Sequence, residues 1–172
     1  MKISMFRTMM CMACMQPAAG LAWPGLAADA DPLAEKTEAE QTITRAGTQA
    51  VSAGSSDYFT GTVRVEMVWP ANEAINASGG KVTFEPGARS AWHTHPKGQH
   101  LVVIGGTGLT QEWGKPVQEI KEGDVIWCPP GVKHWHGAAA TTAMTHIAVT
   151  GTENGKNVDW MEKVSDEQYS AQ

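Results

Sequence analysis

Gly87-Ala88-Arg89-Ser90-Ala91-Trp92-His93-Thr94-His95-Pro96-Lys97-Gly98-Gln99 runs through His100 into Leu101-Val102-Val103-Ile104 and meets Gly105-Gly106. Alternate residues of an extended strand share a face, so His93 and His95 point together. Pro96-Lys97-Gly98 supplies a bend that can return Gln99 to the same side. The apolar run reads as a continuous buried strand ending at Gly105-Gly106. About forty residues later, His134-Trp135-His136 sets two more imidazoles on one strand face. All six histidines lie between His93 and His146, under a third of the 172 residues. Histidine is the commonest metal ligand and the usual acid/base near neutral pH. Two imidazoles from one strand, an oxygen ligand just beyond and an imidazole from a distant strand suit a divalent first-row metal.

Working outward, the chain is punctuated into short strands. Phe59 to Met67 alternates apolar and polar, as does Lys81 to Glu85 after Gly79-Gly80, which is the pattern of half-buried strands. Pro86-Gly87, Gly114-Lys115-Pro116, Glu122-Gly123-Asp124 and Pro129-Pro130-Gly131 mark turns. Val117 to Ile120, Val125 to Trp127 and Met144 to Thr150 read as further strands. Such spacing predicts an all-β sandwich or small barrel. Only Val158 to Gln168 reads as helical, with Asn157 or Asp159 as its cap.

Residues 1–28 carry Lys2 and Arg7, a Met/Ala/Cys-rich stretch and small residues up to Ala28. That is the layout of a secretory signal peptide, cut after Ala28 or Ala30, so an exported protein, periplasmic or secreted, is expected. Lipidation at Cys14 is a weaker alternative. Residues 29–41 are polar and acidic and read as a linker, leaving 42–172 as a single domain. Cys11 and Cys14 leave with the signal, so Cys128 stays without a disulfide partner and is expected to be buried and inert. The full chain carries net charge −5 with no basic block, which argues against nucleic acid. No apolar run reaches membrane-spanning length.

Gly87-x5-His93-x-His95-x3-Gln99-x6-Gly106 resembles the first cupin motif, with Gln in the place of the usual Glu. Gly123-x5-Pro129-x-Gly131-x2-His134 resembles the second, with Ala138 where Asn is usual. The segments 93–99, 133–138, 141–146 and 158–162, together with Asp57 to Arg64, are similar to the bacterial cupin-type hydroxynitrile lyases, the (R)-mandelonitrile lyase family. The resemblance implies a single-domain cupin, a jelly-roll β-barrel with a short C-terminal helix. It further implies a divalent metal, Mn²⁺ foremost and Fe²⁺, Ni²⁺, Co²⁺ or Zn²⁺ as alternatives, held by His93, His95, Gln99 and His134. His136 and His146 match additional active-site imidazoles. Thr150 stands where these lyases carry Gln, and Lys97 replaces an apolar residue near the mouth of the site.

A neutral Gln and three neutral imidazoles leave a bound ion its full double charge, making a stronger Lewis acid than a Glu-containing set would. His146 shares its strand face with Met144, Ala148 and Thr150 and is the first choice for general base, with His136 second. His100 has the opposite parity and should face outward. Trp92, Trp113, Trp127 and Trp135 are candidates for an aromatic pocket wall or for ordinary core. The expected activity is cleavage or formation of cyanohydrins such as mandelonitrile. The alternatives are a metal-dependent dioxygenase acting on an enol or phenol, and a non-catalytic small-ligand-binding cupin. The resemblance to cupins, which often pair through edge strands and so hide exposed ladder groups, implies a homodimer or homotetramer.

Overall fold

A computed structural model of the chain describes residues 40–171. The expected signal peptide and nearly all of the expected linker lie outside the described residues. Twelve strands and one helix follow in order: β1 (Val51–Ala53), β2 (Phe59–Thr60), β3 (Val63–Trp69), β4 (Ala77–Phe84), β5 (Arg89–Ser90), β6 (His93–Thr94), β7 (Gln99–Glu112), β8 (Gln118–Lys121), β9 (Val125–Cys128), β10 (His134–Ala138), β11 (Met144–Gly151), β12 (Asp159–Trp160) and α1 (Asp166–Ser170). Every pairing between them is antiparallel, and the sheet curls into a half-barrel. Among the described residues no helix is long and apolar enough to cross a membrane.

The long strand β7 organises the barrel. Its first half pairs with β11 and β9, and its second half with β10 and β8. The strand expected to stop at Gly105-Gly106 therefore runs straight through them. A register shift opposite Thr145/His146 and a left-handed Gly106, φ 77°, bend it where it changes partners, the usual work of a bulge and a strand glycine. The apolar run before the bend is not buried throughout. Leu101 and Val103 face the core, whereas Ile104 is 44% exposed, because alternate side chains must leave by opposite faces. The segment Phe59 to Met67 is likewise two strands, divided at Gly61: β2 pairs with β5 and β3 with β4.

Two apolar clusters fill the interior. Val63, Phe84, Ala88, Val103, Ile120, Ala138 and Met144 form one. Trp92, Leu109, Trp135, Val164 and Tyr169 form the other. The helix α1 closes the second cluster, and the Tyr169 hydroxyl donates to the Ala138 carbonyl at 2.9 Å.

The tail departs from the helical expectation over Val158 to Gln168. Asp159 and Trp160 are extended and pair with β6, setting Trp160 opposite His93. The helix starts only after Ser165, whose side chain accepts from the Gln168 N–H while the Gln168 side chain accepts from the Ser165 N–H. That reciprocal capping box replaces the expected caps at Asn157 and Asp159.

Candidate metal centre

The pairing of β6 with β10 makes His93 and His134 direct cross-strand partners, with ring centroids 4.3 Å apart. His95 follows one residue after β6, its ring 5.0 Å from that of His93 and 5.4 Å from that of His134. The His95 carbonyl accepts from the N–H groups of Gly98 and Gly131, which ties the Pro96-Lys97-Gly98 bend against the turn before β10. One donor atom from each of His93, His95 and His134 falls within a 4.8 Å span.

Each of the three rings is oriented by a backbone carbonyl. Nδ1 of His93 lies 2.9 Å from the Ala91 oxygen, that of His95 2.6 Å from the Asn157 oxygen, and that of His134 2.9 Å from the Val132 oxygen. A carbonyl can only accept, so each Nδ1 carries the proton and each Nε2 presents a lone pair. Nε2 of His95 and of His134 is buried without a partner, and so is Oε1 of Gln99. Buried polar atoms are seldom left unpaired, and here all are electron-pair donors facing inward. Such a set fits a divalent cation, and the carbonyl partners are the outer hydrogen bonds that metal-binding histidines ordinarily make.

Gln99 opens β7 opposite Thr150 of β11, and its Nε2 donates to Thr150 Oγ1 at 2.9 Å. His136 and His146, from β10 and β11, come together at Nδ1 and Nε2 respectively, 3.3 Å apart. His136 Nε2 and His146 Nδ1 have no partner. The Phe84 ring lies 5.8 Å from one imidazole and 5.7 Å from the other.

Burial keeps these rings neutral. It pushes His134 and His146 down to about 4 and His95 below its ordinary value. His93 and His136 lie well below, again chiefly through burial and then through neighbouring imidazoles. Neutral imidazole is the form that binds a metal and accepts a proton.

His93, His95, Gln99, His136, His146 and Thr150 all line one cavity, whose apolar wall includes Phe59, Val65, Val82, Ala148 and Trp160. The tryptophans singled out from the sequence are elsewhere. Trp92 and Trp135 belong to the second core cluster, and Trp113 and Trp127 are half-exposed. Trp160 does wall the cavity, with its ring 4.9 Å from His93 and 5.5 Å from Phe59. It lies in the segment read as helix, where a tryptophan between Asp159 and Met161 gives no sign of facing a site. His100 faces out against Trp127, ring centroids 4.4 Å apart. Cys128 is buried and its thiol is pushed up to about 12, chiefly by burial. Lys97 pairs with Glu153 at 2.8 Å and does not line the cavity.

Residues 80–150 match the cupin domain family. The (R)-mandelonitrile lyase of Granulicella tundricola is 57% identical over 127 residues, which cover 74% of this chain and 97% of that protein. This chain belongs to the cupin-type hydroxynitrile lyase family. This cupin is thus a hydroxynitrile lyase-like enzyme with a histidine triad suited to a divalent metal. Among solved structures, a cupin-like protein of Thermotoga maritima is 42% identical at a TM-score of 0.65, covering 75% of this chain and 95% of that one. A cupin-2 domain from Rhodospirillum rubrum, 18% identical with a TM-score of 0.57 over 75% of this chain and 84% of its own, shares the fold.

Proposed function

We propose that this cupin cleaves cyanohydrins of the mandelonitrile type to an aldehyde and HCN, and joins them in reverse, with Mn²⁺ held by His93, His95, Gln99 and His134. One observation carries the reading. Three imidazoles are tied outward to carbonyls, with Nε2 of His95 and of His134 buried and unpartnered, beside a second, hydrogen-bonded imidazole pair in an apolar cavity. When bound, the ion supplies Lewis-acid polarisation of the substrate oxygen, undiminished by any charged ligand.

The chain's own residues handle binding and the proton. Phe59, Val65, Val82 and Trp160 offer an aromatic substituent an apolar wall and exclude water. His146, with its Nδ1 free, is the first choice to take the hydroxyl proton, and His136 is the second. As the C–CN bond breaks, its electron pair leaves with cyanide, the carbonyl forms, and a proton is returned to give HCN. The contact between His146 Nε2 and His136 Nδ1 couples the two rings. A proton gained on one outer nitrogen can pass across the shared hydrogen bond and leave from the other. One pair therefore serves as base at one end and acid at the other. The basic and apolar leader of residues 1–28 supports export as part of the same reading.

Elemental analysis and HCN release from mandelonitrile, run on wild type and His134→Ala, test the proposal. His134→Ala should lose bound metal and activity together. Activity that survives without metal removes the mechanism, and oxygen uptake with an enol or phenol in place of HCN release selects a dioxygenase instead.

A further inference from the structure

We propose that Thr150 is the positioning residue that lets the Gln99 amide turn Oε1 toward the imidazole triad, by accepting from the amide nitrogen. The inference rests on the reading of Gln99 as a metal ligand. The two ends of a carboxamide have almost the same shape, so packing alone does not choose between them. The Thr150 hydroxyl can pair with either end, but only by accepting from Nε2 does it leave the amide oxygen free for a cation. The β7–β11 register makes Gln99 and Thr150 cross-strand partners, each only 6% exposed, and Gln99 Nε2 donates to Thr150 Oγ1 at 2.9 Å. That bond occupies the amide nitrogen and leaves Oε1, buried and unpartnered, for a cation.

Remove the hydroxyl and the balance reverses. The amide N–H groups would then be buried with only the lone pairs of the triad as acceptors, and an unpaired buried donor is costly. Turning NH₂ toward the imidazoles would satisfy it and would present a donor to the ion in place of an oxygen. Thr150 thus works through Gln99, without touching the metal itself. Thr150 also lines the cavity.

Competition of the full chain with a chelator for Mn²⁺ tests this on wild type, Thr150→Val, Thr150→Ala, Thr150→Ser and Gln99→Ala, and on Thr150→Val within Gln99→Glu. Thr150→Val and Thr150→Ala should weaken Mn²⁺ binding about 10- to 100-fold, and Thr150→Ser should stay within about twofold of wild type. A carboxylate has an oxygen at both ends, so Thr150→Val in the Gln99→Glu background should also cost no more than about twofold. An equal loss in both backgrounds, or wild-type affinity in Thr150→Val and Thr150→Ala while Gln99→Ala is weakened, overturns the positioning role. Wild-type affinity in Gln99→Ala instead overturns the ligand reading on which it rests. Melting of the metal-free variants shows whether the barrel is intact, and Thr150→Ala carries the comparison if the valine variant does not fold.

Discussion

His134 and His146, pushed by burial down to about 4, titrate near ~6.5 once the chain unfolds. Between those values the unfolded chain binds more protons than the folded one, so folding stability falls as the pH falls. The slope approaches about 1.4 kcal/mol per pH unit for each such imidazole. Metal-free protein should therefore show a urea midpoint that drops steadily from pH 6.5 toward pH 4. A flat midpoint across that window would contradict the burial assigned to these rings. At this same scale the sequence speaks clearly about some residues and not others. The two H-x-H pairs announce themselves because a strand repeats every two residues, and His146 follows from the alternation of Met144 to Thr150. The carbonyls that orient the triad are silent in sequence. Those of Ala91 and Val132 depend on local turns, and that of Asn157 arrives from sixty-two residues away in the chain. Trp160 is silent too, because its place in the cavity depends on β12 pairing with β6.

The bend in β7 puts a strong demand on one element. A Cβ at Gly106 would sit 1.8 Å from the Ala143 carbonyl oxygen, in a left-handed backbone with φ 77°. Gly87 has a similar φ of 78° but open space around it. Gly87→Ala should then cost about 1–2 kcal/mol, the backbone penalty alone. Gly106→Ala should cost clearly more, since β7 must also move away from the start of β11. Chemical denaturation of the two variants compares them directly, and equal losses would mean that the bend is not held where it is described. Gly105-Gly106 reads as a strand end because glycine punctuates sequence in most contexts. Whether the chain turns or merely bends depends on the two partner strands available to it. In the tail, Asn157 and Asp159 read as caps because the pattern from Val158 onward looks helical, but Asp159 and Trp160 are claimed by β6, and tertiary pairing overrides a weak helical pattern.

For the molecule as a whole, strand spacing and turn residues were enough to identify an all-β sandwich or small barrel, because alternation and punctuation are local, and the resemblance to the cupins chose the barrel. The order of strands was not, since β11 reaches β4 and β7 across long stretches of chain. That order places the site. His93 and His134 come from one pairing, Gln99 and Thr150 from another, and the short hairpin bridged between Glu153 and Lys156 supplies a third element through the Asn157 carbonyl. The Asn157 side chain also donates to Ser78 Oγ at 3.3 Å, so the hairpin is fastened to β4 as well as to His95.

Because an external loop grips one ring of the triad, occupancy of the centre and orderliness of that loop must favour each other by the same factor. Mn²⁺ should shield the bond after Lys156 from trypsin, since cutting tracks how often the segment opens. An identical cleavage rate with and without the ion would break the connection. If the protection holds, the hairpin acts as a latch on the outside of the barrel, and the strength of metal retention could be tuned from the surface without altering any group that meets the substrate.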